Sequence, residues 1–478
     1  EGGLRVALLE RGGYYTTARR DFDQREDDMM ARLDGGRGLT AGSDGQIALT
    51  YGNCVGGASV HYWADSWRTP SWRSAQWERM GVTDHCQEEV APYFDIIERD
   101  LNIHPAGDEY FNEMARTFDQ GASRLGWKTS RVMQARKGCV ASGHCMQGCS
   151  YDAKMSQLVT HIPAALEAGA KIYADCEAMH IMTEGGRATG VTGRFLDRRR
   201  CRPNGYSLHL RSRVVILAAG GYGSAVILLR DRLANSSGLV GQRLYLNPVT
   251  SVFGIFDKEI LLWTNIPAAT GVKQFMQVTD DNGYQEGGFI LHPNQLQPAT
   301  LAALLPGFGH SHRDLMELAA HIGSTTAWID DENPGRIALK PGGAPLYEYS
   351  VRGRDRLKVR DSLKKEALVL LAAGARECIL PDRVGTRVRD EAELDKIDSL
   401  DISAGSMVFP GPHPAGTLPM GTAPGRSVVG SDHQCHDLKG LYVTDPSVFP
   451  RAVGTDPSLT IMAWSHLAAD RLLEGWPV

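Results

Sequence analysis

The chain has 478 residues, 42% of them hydrophobic, and it contains 53 glycines. A chain of this length buries a large core and is typical of two domains. Its formal net charge of -5 at pH 7 argues against a nucleic-acid partner bound through a basic surface. No apolar run approaches the roughly 20 residues that a membrane-spanning helix needs.

The first predicted strand covers residues 4–9 and ends at Glu10, which Arg11 and two glycines follow. In a dinucleotide-binding unit an acid after the second strand binds ribose hydroxyls; an ordinary carboxylate at a strand end is the simpler alternative. The glycine-rich turn of such a unit precedes that strand, and the chain contains no Gly-x-Gly-x-x-Gly followed by a helix. We therefore expect the natural chain to begin upstream of Glu1.

Residues 14–50 are predicted to form a loop with one short helix, and a glycine-rich loop follows. Gly56, Gly57 and Ser59 combine close backbone approach with a hydroxyl group, which suits contact with a flat ligand. His61 comes next. The aromatic residues after it are expected to wall a pocket.

The middle of the chain alternates helices and strands. Amphipathic helices are predicted over residues 88–101 and 111–125, and a further helix over residues 158–170. A buried parallel strand is predicted over residues 214–221 and ends in small residues, among them Gly220, and a helix over residues 224–230 is predicted to follow.

Three cysteines lie close together, namely Cys139, Cys145 and Cys149. Three thiolates at this spacing could hold a metal centre, and His144 could complete a zinc site. A purely structural role is the alternative. The nine cysteines of the chain are an odd number and mostly scattered, so a general disulfide framework is not expected.

Between residues 250 and 351 the pattern changes to short alternating runs broken by turn residues, which predicts an antiparallel sheet. A long amphipathic helix over residues 354–373 is predicted to cover this sheet. Within that helix, Lys364, Lys365 and Glu366 are expected to lie on the solvent-exposed face.

Near the C-terminus, His413 lies in a segment crowded with glycine and proline, which fix backbone direction rather than pack a core. A short apolar strand later ends at Asp445. A tight turn then leads into the last helix, which Asp456 or Ser458 is expected to cap, with Pro457 near its first position. A general base beside a helix N-terminus suits chemistry in which a proton leaves while negative charge develops nearby.

Three runs in this region resemble the C-terminal signature of the glucose-methanol-choline (GMC) flavoprotein oxidoreductases. They are His-x-x-Gly-Thr-x-x-Met-Gly from His413, Val-x-Asp-x-Ser-x-Phe-Pro from Val443 and Pro-Ser-Leu-Thr-Ile-Met-Ala from Pro457. Val-x-Leu-Leu-Glu-x-Gly around Glu10 and Gly-Gly-x-Ser from Gly56 are similar to earlier motifs of the family.

The resemblance implies an α/β fold, in which an FAD-binding Rossmann-like domain carries an inserted substrate domain of antiparallel sheet and helices. The FAD-binding domain is expected over residues 1–70, 136–248 and 409–478, with a helical lid segment over 71–135 and the substrate domain over 249–408. The residues that the resemblance predicts to bind FAD are Glu10, Arg11, Gly56, Gly57, Ser59, His61, Gly220, Asp445, Pro457, Ser458 and Leu459.

The implied reaction is oxidation of an alcohol, in which His413 takes the hydroxyl proton while hydride passes to flavin N5. The second active-site residue of the family, commonly His or Asn, falls at Asp456 here, so this position departs from the pattern. Asp456 is expected to be neutral through burial, to orient His413, or to cap the helix. In some relatives the histidine at the place of His61 is joined covalently to the flavin; packing or hydrogen bonding is the alternative.

Two classes of function follow from the resemblance. The loop around His61 is similar to that of bacterial sugar dehydrogenases and pyranose oxidases, so Trp63, Asp65 and Trp67 are expected to bind a sugar or polyol. A larger apolar alcohol, such as a fatty alcohol or sterol, is the alternative substrate. A flavin-less, non-catalytic subunit is the alternative of another class.

The resemblance to the sugar dehydrogenases and pyranose oxidases implies further cofactors and partners. Some sugar dehydrogenases of the family carry an iron–sulfur cluster on a comparable cysteine group, and an electron-accepting partner subunit is expected in that case. The sequence does not distinguish a dehydrogenase from an oxidase. We expect a bacterial protein of the cytoplasm or periplasm.

Overall fold

The computed structural model describes residues 2–36, 40–199, 202–279 and 285–476. Among these residues, no helix combines the length and the apolar composition that crossing a bilayer requires. The strands are, in chain order, β1 (Ala7–Leu9), β2 (Ile47–Leu49), β3 (Ile103–Pro105), β4 (Thr129–Arg131), β5 (Met133–Ala135), β6 (Lys171–Tyr173), β7 (Cys176–Glu184), β8 (Arg187–Asp197), β9 (Arg202–Arg211), β10 (Val215–Leu217), β11 (Val249–Ile255), β12 (Thr270–Val272), β13 (Gln277–Thr279), β14 (Gln285–Gly287), β15 (Phe289–Pro293), β16 (Ile322–Ile329), β17 (Arg336–Leu339), β18 (Pro345–Glu348), β19 (Glu377–Ile379), β20 (Arg387–Val388), β21 (Phe409–Gly411) and β22 (Leu441–Val443).

The α-helices are α1 (Glu26–Leu33), α2 (Ser71–Arg79), α3 (Gln87–Asp100), α4 (Glu113–Arg124), α5 (His161–Glu167), α6 (Gly220–Asp231), α7 (Pro298–Leu304), α8 (His310–Glu317), α9 (Arg354–Ala372) and α10 (Ser458–Glu474). Short 3₁₀ helices cover Thr17–Arg19, Gly57–Val60, Asp108–Tyr110, Ala319–His321, Glu391–Ser399 and Pro446–Val448.

One part of the molecule is built on pairs of parallel strands. β1 pairs with β6, β2 with β21 and β10 with β22, and each pairing is parallel. The two strands of each pair come from distant parts of the chain, as parallel pairing requires. Glu10 follows β1 and Gly220 follows β10, so both lie at carboxyl ends of parallel strands, where open α/β sheets bind their ligands.

The other part is a seven-stranded sheet in the order β20-β19-β11-β16-β15-β12-β4. Its pairings are antiparallel. Helix α9 packs on β11 and β16, and α4 packs on α9. Strand β4 comes from the helix-rich segment before residue 136, so that segment supplies one edge of the sheet. The predicted α/β class, with an antiparallel sheet covered by a long helix, is confirmed.

The face of α9 that meets the sheet carries a buried carboxyl group, Glu366. Its Oε1 accepts a hydrogen bond of 2.5 Å from the Thr250 hydroxyl, and its Oε2 accepts one of 3.1 Å from the backbone N–H of Val252. Burial raises the pKa of Glu366 from its ordinary 4.5 to about 8. The prediction of an exposed position is therefore wrong for Glu366, because β11 supplies polar partners beneath the helix.

Replacing Glu366 with glutamine is expected to remove a pH dependence of stability. The folded state binds the Glu366 proton more tightly than the unfolded state, so the wild-type free energy of unfolding falls as pH rises from 4.5 to about 8. In that window the stability of Glu366→Gln relative to wild type should rise by up to about 1.4 kcal/mol per pH unit. Urea unfolding at several pH values in the window measures this slope, and a flat difference would contradict it.

Candidate active site

His413 follows β21 and packs against the seven-stranded sheet, with 15% of its side chain exposed. Its backbone N–H donates to the Leu246 carbonyl at 3.3 Å. Its ring stacks on the indole of Trp328 in β16, with ring centroids 4.8 Å apart and planes 16° from parallel. This contact fixes the ring plane, because rotation of the imidazole would break the stack.

Asn247 determines which nitrogen of His413 carries the proton. The Asn247 amide nitrogen donates to the Ile329 carbonyl at 2.6 Å, so the amide oxygen is the atom that faces the imidazole. That oxygen lies 3.2 Å from His413 Nδ1 and accepts a hydrogen bond from it. Nδ1 therefore carries the hydrogen, and Nε2 keeps a free lone pair. Nothing in the sequence distinguishes Asn247 from other loop asparagines, and sequence reasoning missed it.

Asp456 lies beside the free nitrogen. Its Oδ1 is 3.4 Å from His413 Nε2, and the side chain is buried. Helix α10 begins at Ser458 with Pro457 as its N-cap residue, and no side chain accepts a capping hydrogen bond there. The predicted cap by Asp456 or Ser458 is therefore wrong. The Asp456 carboxyl turns toward His413 instead, and the Ser458 hydroxyl donates to the Asp65 carbonyl at 3.5 Å.

Asp65 is the second carboxyl of the site. It follows Ala64, whose φ of 73° is a left-handed conformation that costs a non-glycine residue about 1–2 kcal/mol. The hydrogen bond from the Ala135 N–H to the Ala64 carbonyl, at 2.8 Å, helps to hold this turn. The strained turn thus directs Asp65 into the protein interior, where both carboxyls are buried.

Burial changes the proton affinities of the three groups. It raises the pKa of Asp456 well above its ordinary value, an effect that the neighbouring Asp65 increases. Burial also raises the pKa of Asp65, which the neighbouring Asp456 and the charge of Arg136 oppose. Burial lowers the pKa of His413 to about 3, so the imidazole is neutral near pH 7. The site therefore holds a neutral base with a free lone pair.

Aromatic side chains wall the space around His413. Trp63 meets Trp328 edge to face, with centroids 5.4 Å apart, and Trp67 packs near His292 at 5.8 Å. The ammonium group of Lys273 lies 4.1 Å from the Trp67 ring centroid and covers one face of it. Trp63 and Trp67 are the tryptophans predicted to bind substrate. Of these two, only Trp63 contacts Trp328, whose indole stacks on His413.

Several polar atoms near His413 are buried without a hydrogen-bond partner in the part of the chain that the structure describes. They include Trp328 Nε1 and, next to Asp456, the hydroxyl of Thr455. His292 Nε2, on the Trp67 side, is another. Because a buried polar group without a partner costs about 1–3 kcal/mol, such a cluster indicates a place where a polar ligand belongs.

Glu10 and Arg11 directly follow β1. Glu10 Oε1 accepts a hydrogen bond of 2.6 Å from the Gly12 N–H, and burial raises the pKa of Glu10 to about 7. Arg11 donates to the Asn53 side chain at 3.1 Å and so joins β1 to the glycine-rich loop. Hydroxyl donors from a ribose would lower the cost of ionising Glu10.

Hydrogen bonds hold the glycine-rich loop at Ser59, and the space beside the Gly57 backbone is empty. The Ser59 hydroxyl donates to the Gly56 carbonyl at 2.7 Å and accepts from the Gln157 N–H at 2.9 Å, so it closes the loop. Gly57 has a φ of +60°, and a Cβ placed there would meet no atom within 4 Å. His61 Nε2 is buried and has no partner among the described residues, and burial lowers the pKa of His61 to about 4. This open backbone and unpartnered nitrogen fit a flat cofactor.

The strand-end turn at Gly220 is held by Asp445. Asp445 Oδ2 accepts from the Gly220 N–H at 2.9 Å and from the Ser224 hydroxyl, and its Oδ1 accepts from the Ser447 N–H at 2.9 Å. At Gly220 itself φ is +76° and a Cβ would again meet open space. Because no side chain caps α10, the first-turn N–H groups near Leu459 also remain available to an acceptor.

The cysteine group does not form a metal centre. Among the described residues, no three His, Cys, Asp or Glu side chains are arranged to hold a metal ion. Cys139 and Cys145 both accept weak hydrogen bonds from the buried guanidinium of Arg136, at 4.0 and 3.3 Å. The predicted iron–sulfur cluster at Cys139, Cys145 and Cys149 is therefore not supported, and Cys139 and Cys145 serve as partners for a buried cation instead.

Comparison with known proteins places this geometry in context. Models of the GMC oxidoreductase family match residues 7–249 with their N-terminal part and residues 331–465 with their C-terminal part. An uncharacterised GMC-type oxidoreductase of Mycobacterium tuberculosis is 26% identical over 474 residues, which cover 98% of this chain and 72% of that protein. A long-chain-alcohol oxidase of Arabidopsis thaliana is 24% identical over 506 residues, covering 99% and 64%. The crystal structure of pyridoxine 4-oxidase from Mesorbium loti has the same fold, with a TM-score of 0.70 at 16% identity, over 98% of this chain and 94% of that one.

Proposed function

The chain belongs to the GMC oxidoreductase family, which makes it an FAD-dependent oxidoreductase, and on this premise we propose that it oxidises an alcohol group at His413. The observation that carries the proposal is the tautomer of His413. Its Nδ1 donates to Asn247, so Nε2 carries a free lone pair in a partly buried, aromatic-walled site. Such a nitrogen takes a proton from a hydroxyl group that lies against it.

The residues that would hold FAD are those whose surroundings are open or unpartnered. Glu10 would accept from the ribose, Gly57 and Gly220 would allow the cofactor to approach the backbone, and His61 would face it from the loop. Bound FAD would supply hydride-accepting chemistry. The N-terminus of α10 would stabilise negative charge on the cofactor or substrate, since no side chain caps it.

His413 and its neighbours supply the acid–base part of the reaction. His413 Nε2 takes the hydroxyl proton, and Trp328 keeps the imidazole plane fixed during the transfer. Loss of that proton raises the electron density on the alcohol oxygen, which favours departure of hydride from the adjacent carbon. The surrounding tryptophans exclude water, which strengthens the electrostatic contacts within the site.

For the substrate class we propose a sugar or other polyol. The support comes from the buried unpartnered atoms around His413, which include Trp328 Nε1 and the Thr455 hydroxyl. Additional hydroxyl groups on the substrate would satisfy them, whereas an alkyl chain would leave them without partners at a cost of about 1–3 kcal/mol each. Trp63 would pack against the apolar face of the ring or chain.

A long-chain alcohol is the second candidate. It is favoured by the similarity to the Arabidopsis long-chain-alcohol oxidase and by the aromatic walls of the site. Flavin-loaded protein mixed anaerobically with D-glucose, sorbitol and 1-dodecanol separates the candidates. We expect the flavin absorbance to bleach with a polyol. Bleaching by 1-dodecanol alone would support the second candidate, and a colourless protein, or one that no alcohol bleaches, would contradict alcohol oxidation.

Replacement of Asn247 tests the tautomer directly. Asn247 has a φ of 50°, so glycine is the substitution that removes the side chain without backbone strain. Asn247→Gly leaves His413 Nδ1–H without its acceptor, and we expect kcat/KM for flavin reduction to fall by roughly tenfold to a hundredfold. Asn247→Asp keeps an acceptor oxygen for Nδ1 but loses the donor to the Ile329 carbonyl, so it should retain more activity than Asn247→Gly. Equal losses in the two variants would contradict the assignment.

A further inference from the structure

The turn that holds His413 is formed by two consecutive residues, Leu246 and Asn247. The Leu246 carbonyl accepts from the backbone N–H of His413, and the Asn247 amide oxygen accepts from Nδ1 of its ring. Asn247 has a left-handed φ of 50°, which is strained for a residue with a side chain. A conformation of this kind persists only where neighbouring groups fix it.

A buried carboxyl group fixes this turn. Asp331 lies just after β16 and is fully buried. Its Oδ2 accepts from the Leu246 N–H at 2.9 Å, and its Oδ1 accepts from the Asn247 N–H at 3.1 Å. The Tyr349 hydroxyl, which follows β18, donates to Oδ2 at 2.8 Å. One carboxyl group therefore binds both successive N–H groups of the turn, and a third donor orients it.

The carboxylate form of Asp331 suits these contacts, because a carboxylate is an acceptor only and all three partners donate. Burial and the neighbouring Asp355 raise the pKa of Asp331 from its ordinary 3.8 to about 7. The carboxylate therefore predominates at about pH 8.5. The raised pKa also means that the fold tolerates a neutral side chain at this position, which makes an amide substitution practicable.

We propose that Asp331 is a positioning residue for His413. By binding both N–H groups of the turn, it keeps the Asn247 amide oxygen against Nδ1 and so keeps the free lone pair on Nε2. Without these contacts the turn relaxes, the amide oxygen leaves Nδ1, and the ring hydrogen can occupy either nitrogen. A ring with its hydrogen on Nε2 has no lone pair there to take a hydroxyl proton. The role rests on the proposed function only for the use that the reaction makes of that lone pair.

The test is ¹⁵N NMR of flavin-loaded protein labelled at the histidine ring nitrogens, at about pH 8.5, above the Asp331 pKa. A nitrogen that carries hydrogen and one that carries a lone pair resonate far apart, so the spectrum reports the tautomer. The His413 signals are assigned by their absence in His413→Gln. In Asp331→Asn the amide NH₂ faces a backbone N–H, and the ratio of the Nδ1–H to the Nε2–H tautomer should fall by roughly fivefold or more.

Asp355→Asn is the matched control. Asp355 is also fully buried and also accepts from two successive backbone N–H groups, those of Glu332 and Asn333, both at 3.0 Å. These N–H groups lie outside the turn that contacts His413, so Asp355→Asn should keep the wild-type tautomer ratio. Asp331→Ser is a second test variant, since it withdraws both carboxyl oxygens without placing an amide donor in the turn, and it should lower the ratio as well.

Flavin reduction by an alcohol gives a second readout. Asp331→Asn should lower kcat/KM by roughly fivefold, but it should cost little more in a protein that already carries Asn247→Gly, because the two residues act in series. A folded Asp331→Asn or Asp331→Ser protein with the wild-type tautomer ratio would overturn the proposal. So would an equal change in Asp355→Asn. The NMR measurement needs no substrate, so its outcome is separate from that of the anaerobic alcohol panel, which tests the proposed function itself.

Discussion

Replacing His413 with glutamine is expected to lower the rate of anaerobic flavin reduction by an alcohol by roughly 10²–10⁴, the usual contribution of a general base. Glutamine can fill much of the imidazole volume, but its amide is not basic and cannot take the hydroxyl proton. The loss should appear in kcat and kcat/KM alike, because the proton moves only as the reaction proceeds. Stopped-flow absorbance of the bound flavin measures it.

The control for this variant is His321→Gln, which changes a histidine whose ring contacts the Lys258 carbonyl, at 3.1 Å, on a 3₁₀ helix outside the described site. It should keep the wild-type rate. Flavin content and thermal unfolding show whether each variant is folded. A His413→Gln protein that is folded, flavin-loaded and as fast as wild type would rule out His413 as the base.

Replacing Arg73 with methionine is expected to cost about 3–5 kcal/mol of stability, the range for breaking a buried ion pair. Arg73, in α2, pairs with Asp330, which follows β16, and neither side chain is exposed by more than 1%. Methionine keeps most of the volume but leaves the Asp330 carboxylate buried without its partner. Urea unfolding gives the change in free energy.

A matched exposed pair provides the control. Arg313 and Asp314 are each 62% exposed, so Arg313→Met should change the stability by less than about 1 kcal/mol. The double variant Arg73→Met/Asp330→Asn should recover part of the loss, since it removes the unpaired charge. If Arg73→Met cost no more than Arg313→Met, the pair would not contribute to the fold as described.

The Arg73 pair also connects stability to the site. Arg73 Nε donates to the Val453 carbonyl at 3.4 Å, a few residues before Asp456. Its partner Asp330 follows the strand that carries Trp328. The ion pair therefore holds the segment that carries Asp456 against the strand on which His413 stacks, and its loss should loosen both.

The parts of the fold that depend on local pattern were predictable. The helix predicted over 354–373 is α9, and the helix predicted over 88–101 is α3 (Gln87–Asp100). Both carry apolar residues at helical spacing, which a sequence displays directly. By contrast, the helix predicted over 158–170 is the shorter α5, because helix ends depend on contacts that the pattern does not contain.

The site was predictable only where a motif marks it. His413 and Asp456 were identified from their runs of neighbouring residues, and the structure brings them within 3.4 Å of each other. Asn247 reaches His413 across 166 positions of sequence, and Asp65 and Asp456 are more than twice as far apart in sequence. Such pairings depend on tertiary structure, which neither residue type nor spacing reveals.

Buried polar positions were the other failure of pattern analysis. Glu366 lies between two lysines and a stretch of apolar residues, so its helix face looked exposed, yet β11 supplies its hydrogen-bond donors. The pattern left two alternatives open for the cysteine group, a metal centre and a structural role, for a similar reason. Its spacing suits a metal, but the buried charge beside it belongs to Arg136 from the same segment.

The central claim is that His413 removes a hydroxyl proton while hydride leaves the adjacent carbon. The most direct measurement compares anaerobic flavin bleaching by a polyol with that by the same polyol carrying deuterium at the oxidised carbon, in wild type and in His413→Gln. We expect wild-type bleaching to slow several-fold with the deuterated substrate and to be almost absent in the variant. Bleaching that responds to neither deuterium nor the loss of His413 would contradict the claim.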